Sequence, residues 1–391
     1  MSKTFIGLLI CLIFLTACKR PPETKKIPPI IEATIAPTIA LTFESNLPPT
    51  VRQEELNFDF SKGISTTEQS NLKISPSGLS IESGAESANF ISEDLPMLLV
   101  DPAPFLALSA MWKADVNPKA KLKISVRSSI NKGDWSDWQA SSLDGDPRTK
   151  AGLFFFPPTT KYVQYKVEMQ RDQSNSAPTL KEIKFRFISP GATPKSFFSE
   201  PHQSIVKRDD WYCPDGKSAP KIKAQNSAHH LIIHHTATNN SFEDFPAMVR
   251  CIWNFHAFTN GWSDLGYHYL IDPNGVIYEG KAGGDNSVGT HFSCANTGTI
   301  GIAMLGNYMD SQPSEKMIES LQTLLAMKCK QLSLDPNGKS FHASTRLNLP
   351  TISGHREANE STAGTVCAGT KCPGDYLYEM LPEIRKKLKS S

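Results

Sequence analysis

The first half of this chain has no histidine up to position 201 and only two cysteines. All ten histidines lie at or after His202, and apart from Cys11 and Cys18 every cysteine lies at or after Cys213. Imidazole-based metal sites are thereby confined to the C-terminal half, as are thiolate ligands apart from Cys11 and Cys18. An excess of charge of one sign is also missing: 41 Lys and Arg against 39 Asp and Glu leave a formal +2, which argues against a nucleic-acid partner. At 39% hydrophobic and 20% charged residues, the composition excludes a polytopic membrane protein and wholesale disorder. No HExxH occurs, so the helical metalloprotease arrangement is excluded. What is present, 391 residues, exceeds one ordinary hydrophobic core and predicts two domains with connecting segments.

Residues 1–17 carry Lys3, an apolar run from Phe5 to Leu15, and small residues, the pattern of a secretory signal peptide too short to span a bilayer comfortably. Leu15-Thr-Ala-Cys18 resembles the lipobox of bacterial lipoproteins, which implies that Cys18 is lipidated and becomes the mature N-terminus. Two or more acyl chains anchor stably where one does not. Residues 18–50 are rich in proline without amphipathic period and read as an extended tether. The expected location is therefore export and lipid anchoring to a bacterial membrane, the outer one, facing the periplasm or the surface.

Residues 51–190 show short alternating segments, among them Lys121–Arg127, Tyr162–Glu168 and Ile183–Phe187, and predict an antiparallel β-sandwich. Trp135 and Trp138 have faces suited to a sugar ring, or else form an edge cluster of the sheet. Without His or clustered carboxylates, no catalysis is expected there. Ser189-Pro-Gly-Ala-Thr-Pro194 reads as a hinge, with a linker over 191–204 and a second domain over 205–391.

In that second domain, strands interleave with helices. His229-His-Leu-Ile-Ile-His-His235 reads as a strand whose alternation sends His234 and His235 to opposite faces. Ser241-Phe-Glu-Asp244 has capping-box spacing ahead of a helix. Gly266–Ile271 and Val276–Glu279 predict a hairpin across an Asp-Pro-Asn-Gly turn, 298–305 a buried strand, and Glu315–Gln331 an amphipathic helix. The expectation is an α/β domain with a central mixed β-sheet flanked by helices. His234, His355 and Cys372 supply two imidazoles and a thiolate from separate segments, the three-ligand set with one open position expected of catalytic zinc. Isolated His and Cys are more often structural, so spacing alone leaves both readings open.

Nine collinear blocks make a more specific match. They are Arg208-Asp-Asp-Trp211, Leu231–Ala237, Ile252-Trp-Asn-Phe-His256, Gly261–His268, Val276–Gly280, Val288-Gly-Thr-His291, Thr299–Tyr308, Gly354-His-Arg-Glu357 and Cys372-Pro-Gly-Asp375. From about Ile205 onward the chain resembles the peptidoglycan recognition protein and type 2 N-acetylmuramoyl-L-alanine amidase family. The resemblance implies zinc on His234, His355 and Cys372, a catalytic Tyr267, and Thr370 at the position held by Lys or Thr two residues before the Cys ligand. It implies groove residues at His256, His291 and Asn296, and peptidoglycan or muropeptides as partner of a monomer. The implied reaction is cleavage of the amide between N-acetylmuramic acid and L-Ala, with zinc activating water and polarising the carbonyl and Tyr267 stabilising the oxyanion.

Several points are open at this level. A one-residue shift would exchange Thr370 and Lys371. Seventeen positions separate His355 from Cys372, and Cys367 within them competes as a ligand; the Pro-Gly-Asp context favours Cys372. Cys213, Cys251, Cys294, Cys329 and Cys367 allow two disulfides and one free thiol in an oxidising compartment. Glu357 reads as a salt-bridge partner, not a base. The rival functions are a muropeptide-binding module without hydrolysis and a structural lipoprotein tethering membrane to wall. Members that have lost hydrolysis usually lack the Cys ligand, which this chain keeps.

Overall fold

Strand Leu106–Asp115 explains how the N-terminal region is put together. Its even-numbered residues Leu106, Leu108, Ala110, Trp112 and Ala114 bury against Phe90, Ile124, Val126, Tyr165 and Val167 of a second sheet. On its other face, Ala107, with the neighbouring Phe105, joins Phe155 and Ile188 in a different cluster, shared with Trp211, Val249 and Ile252 from the C-terminal half. Burial on both faces is why this region reads as a continuous apolar run and not as an alternating one.

The computed structural model describes residues 49–99, 103–117, 119–140, 151–199, 205–215, 227–262, 264–293, 295–361 and 369–388. Two six-stranded antiparallel sheets occupy residues 52–189. In one, Leu106–Asp115 lies between Ala151–Phe156 and Thr179–Ser189, and Arg52–Asp59 pairs along the latter from Arg52↔Ser189 to Asp59↔Glu182. In the other, Tyr162–Gln170 is flanked by Lys121–Ser129 and Ser87–Ser92. Trp135 and Trp138 are engaged by cations: the Arg127 guanidinium stands 5.0 and 4.4 Å from their ring centres, and Lys166 Nζ 5.1 Å from that of Trp138.

The C-terminal part is an α/β domain around a five-stranded mixed sheet. Its strands are β1 (His230–His235), β2 (Tyr269–Ile271), β3 (Ile277–Glu279), β4 (Thr299–Met304) and β5 (Ile352–Gly354), in the order β3-β2-β4-β1-β5. β1 runs parallel to β4 and β5, β2 is parallel to β4, and β2 and β3 form the antiparallel hairpin. The helices are α1 (Phe245–Asn254), α2 (Glu315–Gln331) and α3 (Asp375–Lys387). Leu231 and Ile233 of β1, Ile300 and Ile302 of β4, Met317, Leu321 and Leu324 of α2, and Leu377 and Leu381 of α3 form one buried cluster, so α2 and α3 cover one face. α1 covers part of the other, packing Val249 and Ile252 with Leu270, Tyr278 and Ala303.

Two local expectations need correction. The N-cap of α1 is Asp244, whose Oδ1 accepts from the Ala247 amide at 3.0 Å, not Ser241. Pro246 in the first turn suits a helix starting there, and Asp244 also accepts from the amide and hydroxyl of Thr193 at 2.9 and 2.5 Å. The segment expected to be a hinge, Ser189–Pro194, is tied to the same helix by hydrogen bonds. Buried Arg250 of α1 donates to the carbonyls of Pro190, Gly191 and Trp211 at 2.9, 2.8 and 3.0 Å, and to Thr193 Oγ1 at 3.0 Å. A buried guanidinium with several carbonyl acceptors fixes the backbone that supplies them. Ser109 Oγ and Thr259 Oγ1, 2.8 Å apart, add a buried polar contact between the β-rich region and the turn after α1. Residues 1–48, with the expected signal peptide, lipidated Cys18 and most of the tether, lie outside the described residues.

Candidate metal centre

His234 is the penultimate residue of β1, every residue of which is buried. Alternation sends His235 to the other face, where its Nδ1 accepts from the Tyr308 amide at 3.1 Å. His355 directly follows β5. Because β5 pairs in parallel with β1, their C-terminal ends coincide and place the two imidazoles 4.8 Å apart, centre to centre. Cys372 comes from the loop before α3. Arg356, next to His355, braces that loop: its amide donates to Cys372 O at 2.9 Å, and its guanidinium to Asp375 at 2.7 Å and to the Lys371 carbonyl.

The ligand atoms of His234, His355 and Cys372 lie within 4.8 Å of one another, and all three residues are buried. Cys372 Sγ stands 3.5 Å from His234 Nδ1. Nitrogen and sulfur bound to one tetrahedral zinc at ordinary bond lengths are about 3.5 Å apart, so both donor set and spacing fit zinc. Burial, reinforced by the neighbouring His355 and His291, holds the His234 pKa well below its usual 6.5 and keeps the ring in the neutral, ligating form.

Tyr267 stands beside this cluster. It is half-buried, its ring 5.2 Å from that of His234 and 5.5 Å from that of His256. Its carbonyl accepts from the Lys281 amide at 2.8 Å. Gly280 passes so close that a Cβ there would meet this oxygen at 2.3 Å, so the side chain is presented from a fixed backbone.

The family model described as N-acetylmuramoyl-L-alanine amidase matches residues 224–375. Peptidoglycan recognition protein 1 of Bos indicus is 28% identical over 183 residues, covering 46% of this chain and 83% of that protein. Peptidoglycan-recognition protein SC1a of Drosophila melanogaster is 31% identical over 186 residues, 46% of this chain and 84% of that protein. The N-acetylmuramoyl-L-alanine amidase of Sus scrofa is 30% identical over 159 residues, 39% of this chain and 22% of that protein.

The chain belongs to the peptidoglycan recognition protein and type 2 amidase family.

The remaining residues expected from that family are distributed as follows. Thr370 is buried and its Oγ1 accepts from the Cys372 amide at 3.0 Å, whereas Lys371 is exposed. Thr370 is thus turned inward within the ligand loop and Lys371 outward. Asn359 clasps Thr370 through both its backbone groups, at 2.9 and 3.1 Å. His256 lies in the π-helical turn Phe255–Thr259, buried beside Trp262 at 4.6 Å between ring centres, with Nδ1 accepting from the Gly266 amide at 3.2 Å. Burial lowers its pKa to about 3.

His291 and Asn296 are both tied into the protein by hydrogen bonds. His291 is buried behind His234, with Nδ1 3.0 Å from His234 Nε2. Asn296 is half-buried and holds its own loop: Oδ1 accepts from the amides of His291 and Phe292 at 2.7 and 2.8 Å, and Nδ2 donates to Ser293 O at 2.8 Å. In this family member both side chains are engaged in building the wall around the ligands.

Glu357 forms no ion pair among the described residues; its Oε2 is buried without a hydrogen-bond partner, and burial raises its pKa. Cys213, Cys251 and Cys329 form no disulfide, contrary to the pairing an oxidising compartment allows. Burial pushes the Cys329 thiol up to about 11 and those of Cys213 and Cys251 higher. Cys294 and Cys367 lie outside the described residues. The bracing by Arg356 was not anticipated, although its place beside a ligand in Gly354-His-Arg-Glu357 was the available signal.

Proposed function

We propose that this chain is a zinc-dependent N-acetylmuramoyl-L-alanine amidase that cleaves peptidoglycan between N-acetylmuramic acid and L-Ala. The complete, buried His234–His355–Cys372 set, at spacings that suit one zinc ion, supports hydrolysis over binding alone. These three side chains would hold the zinc, whose Lewis acidity would activate water and polarise the scissile carbonyl. Tyr267, beside His234, donates a hydrogen bond to the developing oxyanion. Thr370, holding the Cys372 amide, keeps the thiolate in place from the protein side. With a net charge of only +2, wall recognition rests on a shaped groove more than on bulk charge.

The same proposal places the protein outside the cytoplasm, as a monomer anchored by lipid at Cys18 and held off the membrane by the Pro-rich tether. The test is to incubate the purified mature protein with peptidoglycan and follow newly exposed L-Ala amino termini with and without a chelator. Zinc-dependent release is expected. Release that survives complete zinc removal would sink the metal mechanism, and retained wall binding without release would leave a recognition module.

A further inference from the structure

Behind His234 the hydrogen bonds have a direction that fixes where the protons are. Thr299 Oγ1 lies 2.7 Å from the Asn296 carbonyl. A carbonyl only accepts, so the single hydroxyl proton of Thr299 points there. The same Oγ1 is 3.2 Å from His291 Nε2 and offers it only lone pairs, so Nε2 is the protonated nitrogen of His291. The neutral ring then has an acceptor at Nδ1, 3.0 Å from His234 Nε2, which must be the donor. His234 is left with its lone pair on Nδ1, the nitrogen 3.5 Å from Cys372 Sγ.

The His291 ring is also held sterically. A Cβ on Gly301 would meet its Cγ at 2.5 Å, and one on Gly289 its Cδ2 at 2.4 Å, so two glycines leave it a slot with no room to spare. His268 closes the far side, 5.4 Å away centre to centre, and its Nδ1 accepts from the Gly301 amide at 3.0 Å, which fixes that strand against the slot.

We infer that the chain Asn296 O–Thr299–His291 is a tautomer-setting relay that presents the Nδ1 lone pair of His234 to the metal, making Thr299 and His291 positioning residues. The inference deepens the proposed zinc site and rests on it for its purpose, though not for its geometry. Partners that orient a ligating His typically contribute about 10- to 100-fold to metal affinity.

The experiment uses the metal-free mature protein labelled with ¹⁵N-histidine. Long-range proton–nitrogen correlation is expected to show His234 and His291 both protonated at Nε2 and unprotonated at Nδ1. A proton on His234 Nδ1 in the metal-free wild type would overturn the inference without any variant having to fold. Thr299→Val, which keeps shape and removes the hydroxyl, is then expected to mix the tautomers of both rings and to weaken zinc about 10- to 100-fold in chelator competition, with Thr299→Ser restoring both. Unchanged tautomers and affinity in Thr299→Val would equally overturn it. An intact relay and tight zinc in a protein that releases no L-Ala termini would instead defeat the amidase reading and leave the relay standing.

Discussion

The β-rich N-terminal region and the α/β domain bury their interiors for different reasons. Between the two antiparallel sheets lie aliphatic and aromatic side chains such as Phe90, Val126, Tyr165, Phe185 and Phe187, whose removal from water is favourable in itself. In the α/β domain four imidazoles are buried in contact: His234 and His355 at the ends of β1 and β5 beside Cys372, His291 against His234, and His268 against His291. Burying polar rings costs free energy unless each is hydrogen-bonded, so a cluster of this kind marks where structure serves something other than stability. Two interventions separate the regions most strongly. Cys372→Ala is expected to abolish zinc retention and amide cleavage while leaving the fold in place, since the apolar clusters are untouched; Cys367→Ala should do neither. Metal analysis and release of L-Ala termini check both, and equal loss in the two variants would reopen the ligand assignment. Phe185→Ala should do the reverse, lowering stability by about 3–5 kcal/mol in a urea titration with the zinc content of the folded protein unchanged. A parallel loss of zinc would mean that the β-rich region supports the site through its contacts with α1.

A smaller step sharpens the comparison within the site. Tyr267→Phe keeps the ring against His234 and His256 and removes only the hydroxyl. Turnover is expected to fall by roughly 10²–10³, the usual consequence of losing one oxyanion donor, with zinc content and stability unchanged. Wild-type rates in this variant would remove Tyr267 from the mechanism.

Legibility from sequence divided along the same line. Lys121–Arg127 and Tyr162–Glu168 announced strands because one of their faces meets solvent or a polar edge. Phe105–Ala110 and Leu153–Phe156 carry no such signal, since burial on both faces erases alternation. The strand, hairpin and helix of the α/β domain followed from local pattern, and β1 parity correctly separated His234 from His235. Long-range hydrogen bonds carry no local signature. Arg250 holding Pro190, Gly191 and Thr193, and Asp244, the cap of α1, accepting from Thr193, are contacts across 51 to 60 positions. His291 carried a motif but not its partner; only the fold shows that it faces His234 and Thr299.

The same contrast predicts how acid acts on the metal-free protein. Burial lowers His256 to about 3 and His268 to about 4, and holds His234 and His291 well below 6.5. Unfolding returns each ring to about 6.5. Between the folded and unfolded values the unfolded chain binds more protons, so stability is full above about pH 6.5 and is lost as pH falls toward 4. Asp272, lifted by burial to about 6, works in the opposite sense: between 3.8 and about 6 its unfolded form ionises first, so its contribution declines as pH rises. Glu357, raised by the same cause, adds to that opposition. Burial lowers His230 and His342 as well, and six imidazoles against two carboxyls leave the histidines in control. The urea midpoint should therefore drop between pH 7 and pH 5, and a midpoint that holds level or rises over that interval would show that the imidazole cluster is not buried neutral.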